Sequence, residues 1–417
     1  VAALGKLYTP GGQRGIFRST DGGESWEQVL KGGDWTGVVD LVLKPDDPNT
    51  LYAAAWDRQR RPWDFTEGGN GSGIYKSVDG GDTWSHLEGG LPEGDLVGRI
   101  GLAVSAASPD TLYASIDNQQ QLPEDQWELG DRPVSAKRLR NMSKEEFLAQ
   151  DKTEIERFIR SSDFDVSIDA DKLLDWVKTG EVSIQDIVDE LGDANANLFN
   201  TDIVGLQVWR SDDAGASWRL THDRPLDAVV YSYGYYFGEI RVSPQDVNQV
   251  YVLGVPVVKS DDGGKTWFSV QGREVHGDHQ SMWINPEHPD HLIIGNDGGA
   301  DVSYDGGKTW VKLDAQPLGQ FYTVNVDMAE PYNVYGGLQD NGTMRCSSTN
   351  RWETGPNCKR INGGDGMYVA IDPRDNKTVY TGWQFGNYSR INANGSRDDV
   401  RPRRAFGDPA LRYNWNT

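Results

Sequence analysis

Two of the six histidines fall within one tetrapeptide, His276-Gly277-Asp278-His279. Imidazole nitrogens and a carboxylate suit zinc or another divalent transition ion. His276, Asp278 and His279 are therefore a candidate metal set, with a divalent cation as the implied cofactor. Carboxylates in glycine-bearing loops recur at Asp278, Asp297, Asp340 and Asp365. Two such groups, one protonated and one ionised, are what glycoside hydrolysis needs, which makes these four the candidate catalytic residues. The ordinary role of an Asp beside glycine is to cap a turn. The third chemistry is binding. His276, His279, Asn296, Gln339 and Asn341 can exchange hydrogen bonds. Trp56, Trp63, Trp383, Tyr235 and Tyr236 offer ring faces, and Arg58 and Arg60 offer rigid N–H forks. No nucleophile elbow, P-loop or dinucleotide fingerprint occurs in the chain.

These residues must be held by a scaffold, and one short pattern identifies it. Ser-x-Asp-x-Gly-x-Ser/Thr-Trp occurs five times, placing Asp21 with Trp26, Asp79 with Trp84, Asp213 with Trp218, Asp262 with Trp267, and Asp305 with Trp310. The copies are separated by 58, 134, 49 and 43 residues. Apart from one long gap, that is roughly the 40–50-residue beat of a four-stranded propeller blade. A second signal keeps the same beat: a short apolar strand, a Pro/Asp turn, then a second strand, as in Leu41–Lys44 before Thr50–Ala53 and Ile240–Pro244 before Val250–Val252. These read as strands A and B of each blade, with the Asp pattern at the turn between C and D. The fold expected is an all-β propeller of about seven blades. The first blade lacks its A strand and the last lacks a clear D strand, so the chain reads as part of a longer polypeptide. The candidate residues fall in B–C and D–A loops, which share one face and are expected to meet at its axial opening.

The long gap holds a different kind of sequence. Residues 1–134 and 201–417 carry the blades, whereas 135–200 carry helix signals: a capping box at Ser143–Glu146, a cap at Asp169, a stop at Gly180 and a last helix from Ser183 to Gly192. Four short helices are expected in a B–C loop, as a lid or docking module.

A net charge of −22 disfavours nucleic acid and anionic membrane surfaces as partners. No apolar run is long enough to insert in a membrane. Cys346 and Cys358 flank a turn-rich stretch and suit a disulfide across a hairpin, which implies an oxidising compartment.

The repeated octapeptide resembles the Asp-box, or BNR repeat. Further segments widen the resemblance: Trp56 to Trp63, Gly73-Ile74-Tyr75-Lys76-Ser77, His276 to His279, Gly295-Asn296-Asp297-Gly298-Gly299 and Gly336 to Gly342. Together they are similar to large bacterial propeller proteins described as glycosyl hydrolase-like or sortilin N-terminal-like. The resemblance implies an extracytoplasmic protein that recognises a glycan or peptide on the B–C and D–A face. It also implies an alternative, a sialidase-like or xyloglucanase-like hydrolase. The repeat marks a fold and not a reaction.

Overall fold

The computed structural model describes all residues except 62, 124–131, 163, 165–167, 192–202, 225, 227–228, 314–317, 350–356, 403–405, 409–410, 412 and 417. Gly192, expected to end the last helix, and the expected end of the insertion near residue 200 lie outside the described residues. The chain forms two compact units, residues 1–126 with 201–316, and residues 127–200 with 317–417.

The first unit contains five antiparallel sheets in chain order. The first has three strands, β1 (Ala2–Ala3), β2 (Gly15–Arg18) and β3 (Glu27–Lys31). The second joins β4 (Thr36–Lys44), β5 (Asp47–Asp57), β8 (Gly73–Ser77) and β9 (Ser85–Leu87). Between β5 and β8 a two-stranded ribbon is inserted, β6 (Gln59–Arg61) and β7 (Asp64–Thr66). The third is β10 (Val97–Val104), β11 (Leu112–Gln121), β12 (Ile203–Ser211) and β13 (Arg219–Leu220). The fourth is β14 (Glu239–Val242), β15 (Val250–Leu253), β16 (Val257–Ser260) and β17 (Phe268–Ser269). The fifth is β18 (His279–Ile284), β19 (Leu292–Asn296), β20 (Gly299–Ser303) and β21 (Val311–Lys312). Strand order follows the chain in each sheet. The opening strands β4, β10, β14 and β18 lie side by side in succession. Repeated four-stranded meanders with adjacent first strands are propeller blades, and the chain is an all-β propeller in class.

The octapeptides form the turns between the last two strands of each of these five sheets, and their hydrogen bonds show why. In the third sheet, Ser211 Oγ donates to Asp213 Oδ1 at 2.8 Å and accepts from Gly215 N at 2.9 Å. Ser217 donates N–H and O–H to the two Asp213 oxygens at 2.8 and 2.5 Å. The glycine at that position has φ 88° and needs no Cβ. Trp218 Nε1 donates to Gly215 O, closing the turn. The other four copies repeat the Ser–Asp–Ser/Thr set. Trp310 departs: its Nε1 donates to Val270 O of the preceding sheet at 2.8 Å.

A second repeated device seals the sheets together. Tyr52, Tyr113 and Tyr251 occupy equivalent second-strand positions and are fully buried. Over each ring lies a cation from the adjoining third strand, Lys76, Arg210 and Lys259. The hydroxyls of Tyr52 and Tyr113 reach into the next repeat, to Ala214 O and Val247 O.

The second unit contains two sheets and the helices. One sheet is β22 (Phe321–Val326), β23 (Asn333–Leu338), β24 (Gly342–Ser347) and β25 (Cys358–Asn362). The other is β26 (Val369–Ile371), β27 (Val379–Trp383), β28 (Asn387–Ile391) and β29 (Arg397–Asp399). The last repeat therefore keeps its fourth strand, against the sequence expectation: the Asn392–Ser396 turn replaces the Asp pattern and is closed by its own Asn and Ser side chains. Where β24 meets β25 the octapeptide is also missing, and Cys346 bonds Cys358 directly across the pair. Among the described residues there are five helices where four were expected: α1 (Ala136–Leu139), α2 (Lys144–Leu148), α3 (Lys152–Ser161), α4 (Ala170–Thr179) and α5 (Ile184–Leu191). The additional α1 is capped by Ser135. They share a core of Phe147, Ile155, Leu173 and Ile187, against which Phe406 packs beside Phe164 and Trp176.

Candidate functional site

In the first unit, loops of three successive sheets bring an arginine–aromatic array together. Trp35 lies in the turn leading into β4. Trp56 is the next-to-last residue of β5, and Arg58 leads into the ribbon, where Arg60 pairs with Phe65 and Arg61 with Asp64. Arg99 stands near the start of β10. Tyr235 belongs to a single 3-10 turn, Gly234–Tyr236, ahead of β14. Cross-strand neighbours share a face of a ribbon, which puts the Arg60 guanidinium 5.3 Å from the Phe65 ring centre.

Each tryptophan is flanked by two guanidiniums. Arg58 and Arg99 lie 4.9 and 5.9 Å from Trp56, and Arg14 and Arg61 lie 5.8 and 5.7 Å from Trp35. The negative ring face attracts each cation by about 0.5–1 kcal/mol or more. Phe65 meets Tyr235 edge-on at 4.8 Å, and Tyr235 touches Tyr236 at 4.5 Å. Arg14 is spent on the main chain, donating to carbonyls of Leu4, Lys6, Thr9 and Gly11. Arg99 donates to the carbonyls of Tyr235 and Tyr236. The guanidiniums of Arg58 and Arg60 make no hydrogen bond or ion pair with any described residue, and the Nε atoms of Arg58 and Arg99 are buried without a partner. Burial, and then the charges of Arg14, Arg60 and Arg99, pull Arg58 below its ordinary value. Burial does the same to Arg99, against the attraction of Glu239 and Asp40.

Beside this array stand two carboxyl groups of unusual state. Trp56 Nε1 donates to the carbonyl of Glu67 at 2.7 Å. Burial, and then the neighbouring Asp117, push the Glu67 carboxyl up to about 8, and its Oε2 is buried without a partner. Asp117 is pushed up to about 6 by burial, opposed by the Gln119 amide that donates to both its oxygens. A Cβ on Gly98 or Gly234 would strike the Asp117 carboxylate, so glycine is required on both sides of it. Near neutral pH Glu67 is a protonated acid and Asp117 an ionised base. Asp117 is 2% exposed, so it acts on Glu67 and not on a substrate directly.

Of the residues singled out from sequence, Trp56, Arg58, Arg60, Tyr235 and Tyr236 belong to this assembly, and Trp63 sits exposed at the ribbon tip. Sequence reasoning missed Trp35, Phe65, Glu67, Arg99 and Asp117. A charge inside the apolar strands at Arg99 and Asp117 was the available signal.

The other candidates take local roles. His279 is fully buried; its Nε2 lies 3.3 Å from Gln271 Oε1, and burial lowers it to about 4. His276 packs against Gly298, and Asp278 raises the neighbouring Tyr233 together with burial. Among the described residues no three His, Cys, Asp or Glu side chains are gathered as a cation needs, so the metal reading of His276, Asp278 and His279 is not carried forward. Asn296 closes its turn through Gly298 N and binds Asp301. In the second unit Asp365 is 2% exposed and accepts three hydrogen bonds: Oδ1 from Asp340 N, and Oδ2 from Tyr322 O–H and Trp415 Nε1. Gln384, next to Trp383, accepts from Asp365 N, and Gln339 O accepts from Asn341. Asp365 thus ties together the loops that carry Asp340, Tyr322 and Trp415.

No family model and no curated protein matches the chain. Solved structures similar to it include a GH74 xyloglucanase from Xanthomonas campestris, 14% identical over 90% of this chain and 46% of that one, TM-score 0.37. An ancestral GH74 enzyme is 14% identical over 93% and 43%, TM-score 0.39. YCF48 from Cyanidioschyzon merolae is 10% identical over 88% and 87%, TM-score 0.33. The chain spans less than half the length of the two GH74 chains. None of these likenesses carries a residue or a reaction to this chain.

Proposed function

We propose that the B–C and D–A face of the first unit recognises a glycan or peptide ligand outside the cytoplasm. The observation that carries this reading is the arginine–aromatic array, in which the guanidiniums of Arg58 and Arg60 have no hydrogen-bond or ion-pair partner among the described residues, while Trp63 at the tip of the same ribbon is 79% exposed and Tyr236, packed on Tyr235, is 48% exposed. A surface built only for stability would pair its guanidiniums, as Arg18, Arg210, Arg374 and Arg390 are paired here. The Cys346–Cys358 disulfide supports an oxidising compartment. Among the described residues no helix is long and apolar enough to cross a membrane. The five matching turns support placement among Asp-box, sortilin-like and glycosyl hydrolase-like propellers. Binding to a glycan and peptide array, repeated with Trp63→Ala and Tyr236→Ala, tests the reading: loss of a wild-type signal in both variants supports it, and unchanged binding removes this face from consideration.

Glycoside hydrolysis is the second reading, favoured by the Glu67 carboxyl beside the array: burial and Asp117 keep its proton on, as a general acid requires, while the buried Asp117 holds that state without touching substrate. Release of reducing ends by the wild type, abolished in Glu67→Gln, would establish it; absence of release from every glycan that binds would end it.

A further inference from the structure

The chain carries an excess of acidic groups, 63 Asp and Glu against 41 Lys and Arg. With acids in such excess, an arginine cluster whose guanidiniums form no ion pair is the least expected arrangement. Arg58, Arg60, Arg61 and Arg99 converge from the ribbon and from β10, and none of them forms an ion pair with a described residue. Arg58 feels three other guanidiniums, and its buried Nε has no acceptor. Ring faces offset part of this repulsion but accept no N–H fork. A planar guanidinium fork matches a carboxylate edge in two parallel hydrogen bonds, each shorter and stronger than a neutral one.

We infer that Arg58 and Arg60 form an anion subsite that takes the carboxylate of an acidic sugar, with Trp63 and Tyr236 stacking on the neighbouring rings of the same oligosaccharide. This rests on the binding reading of the same face and names its ligand class. The net charge of −22 repels a polyanion at long range, so the favoured ligand carries an isolated carboxylate on an otherwise neutral chain. An exposed tryptophan face complements the C–H face of a pyranose ring.

The experiment is calorimetric titration of the whole chain with three probes: a xylo-oligosaccharide bearing one glucuronic acid, the same compound with its carboxyl reduced to the alcohol, and a short peptide bearing one glutamate. The expected result is binding of the first, weakened at least tenfold by carboxyl reduction and at least tenfold by Arg60→Gln, while Arg60→Lys recovers part of it. The reduced sugar tests the subsite on unaltered protein, so a poorly folding variant leaves the inference exposed to refutation. Equal binding of the acidic and reduced sugars overturns the anion subsite while leaving ligand recognition standing. Binding of the peptide alone overturns the sugar assignment. No binding of any probe, with Trp63→Ala and Tyr236→Ala also without effect on the array, overturns the subsite and the recognition reading together.

Discussion

Replacing Glu67 by Gln tests the electrostatics of the candidate site where it is most exposed to failure. A carboxyl raised in the folded state binds its proton more tightly there than in the unfolded chain. Its contribution to stability is fully present below the unfolded value of 4.5 and is lost as pH rises through the folded value of about 8. The whole displacement corresponds to about 5 kcal/mol at about 1.4 kcal/mol per pH unit. Between pH 6.5 and 8.5 the loss is about 2 kcal/mol, and in this window Asp117, which titrates near 6, adds little. The glutamine variant has no proton to lose. Urea unfolding at the two pH values should show the wild type weakening by about 2 kcal/mol more than Glu67→Gln. At pH 6.5 the wild type has already lost about 3 kcal/mol of this contribution, so Glu67→Gln should be the more stable by about that amount, the two converging below pH 4.5, where the neutral acid and the amide have similar shape. Equal pH dependence in both proteins would refute the claim that burial and Asp117 keep Glu67 protonated. Asp117→Asn removes one of the two causes and should shift the wild-type loss to lower pH.

The three buried tyrosines give a contrast at one repeated position. Tyr113→Phe removes a hydroxyl that bonds Val247 O at 2.8 Å and receives Arg210 at 2.7 Å, and should cost about 1–2 kcal/mol in urea unfolding; Tyr251→Phe removes a buried hydroxyl without a partner and should be neutral or stabilising. Replacing Cys346 and Cys358 together by Ser opens a loop of 12 residues and should cost about 3 kcal/mol, with added reductant reproducing the effect in the wild type and leaving the variant unchanged. The carboxylates Asp79, Asp213, Asp262 and Asp305 are held at about 2 by hydrogen bonds from their own turns. Their stabilisation is present above 3.8 and lost as pH falls through 2, so tryptophan near-UV dichroism should collapse between pH 4 and 2; a signal flat to pH 2 would contradict this.

The chain's local chemistry was legible without coordinates because its partners are close in sequence. Asp213 is held by Ser211 and Ser217, Ser143 by Glu146, and the cysteines by a single hairpin; each interaction spans a few residues and needs no tertiary information. The same logic explains the misreadings. The turn of the last repeat uses Asn392 and Ser396 in place of the octapeptide, and α1 is a single turn with little periodicity. The loop aspartates looked chemically alike in sequence, yet Asp365 is consumed by Tyr322, Trp415 and the Asp340 amide, partners 43, 50 and 25 residues away.

What the amino-acid order determined by itself is the blade: paired short strands, the serine–aspartate turn and the beat at which they return. What only the tertiary structure decided is which charges lack an opposite. Arg14, Arg58, Arg61 and Arg99 crowd two tryptophans, and Glu67 keeps its proton, because segments distant in sequence exclude water and one another's counter-ions at that place. Ionisation and pairing depend on the desolvation and field made by those neighbours, and a residue's own sequence context carries neither.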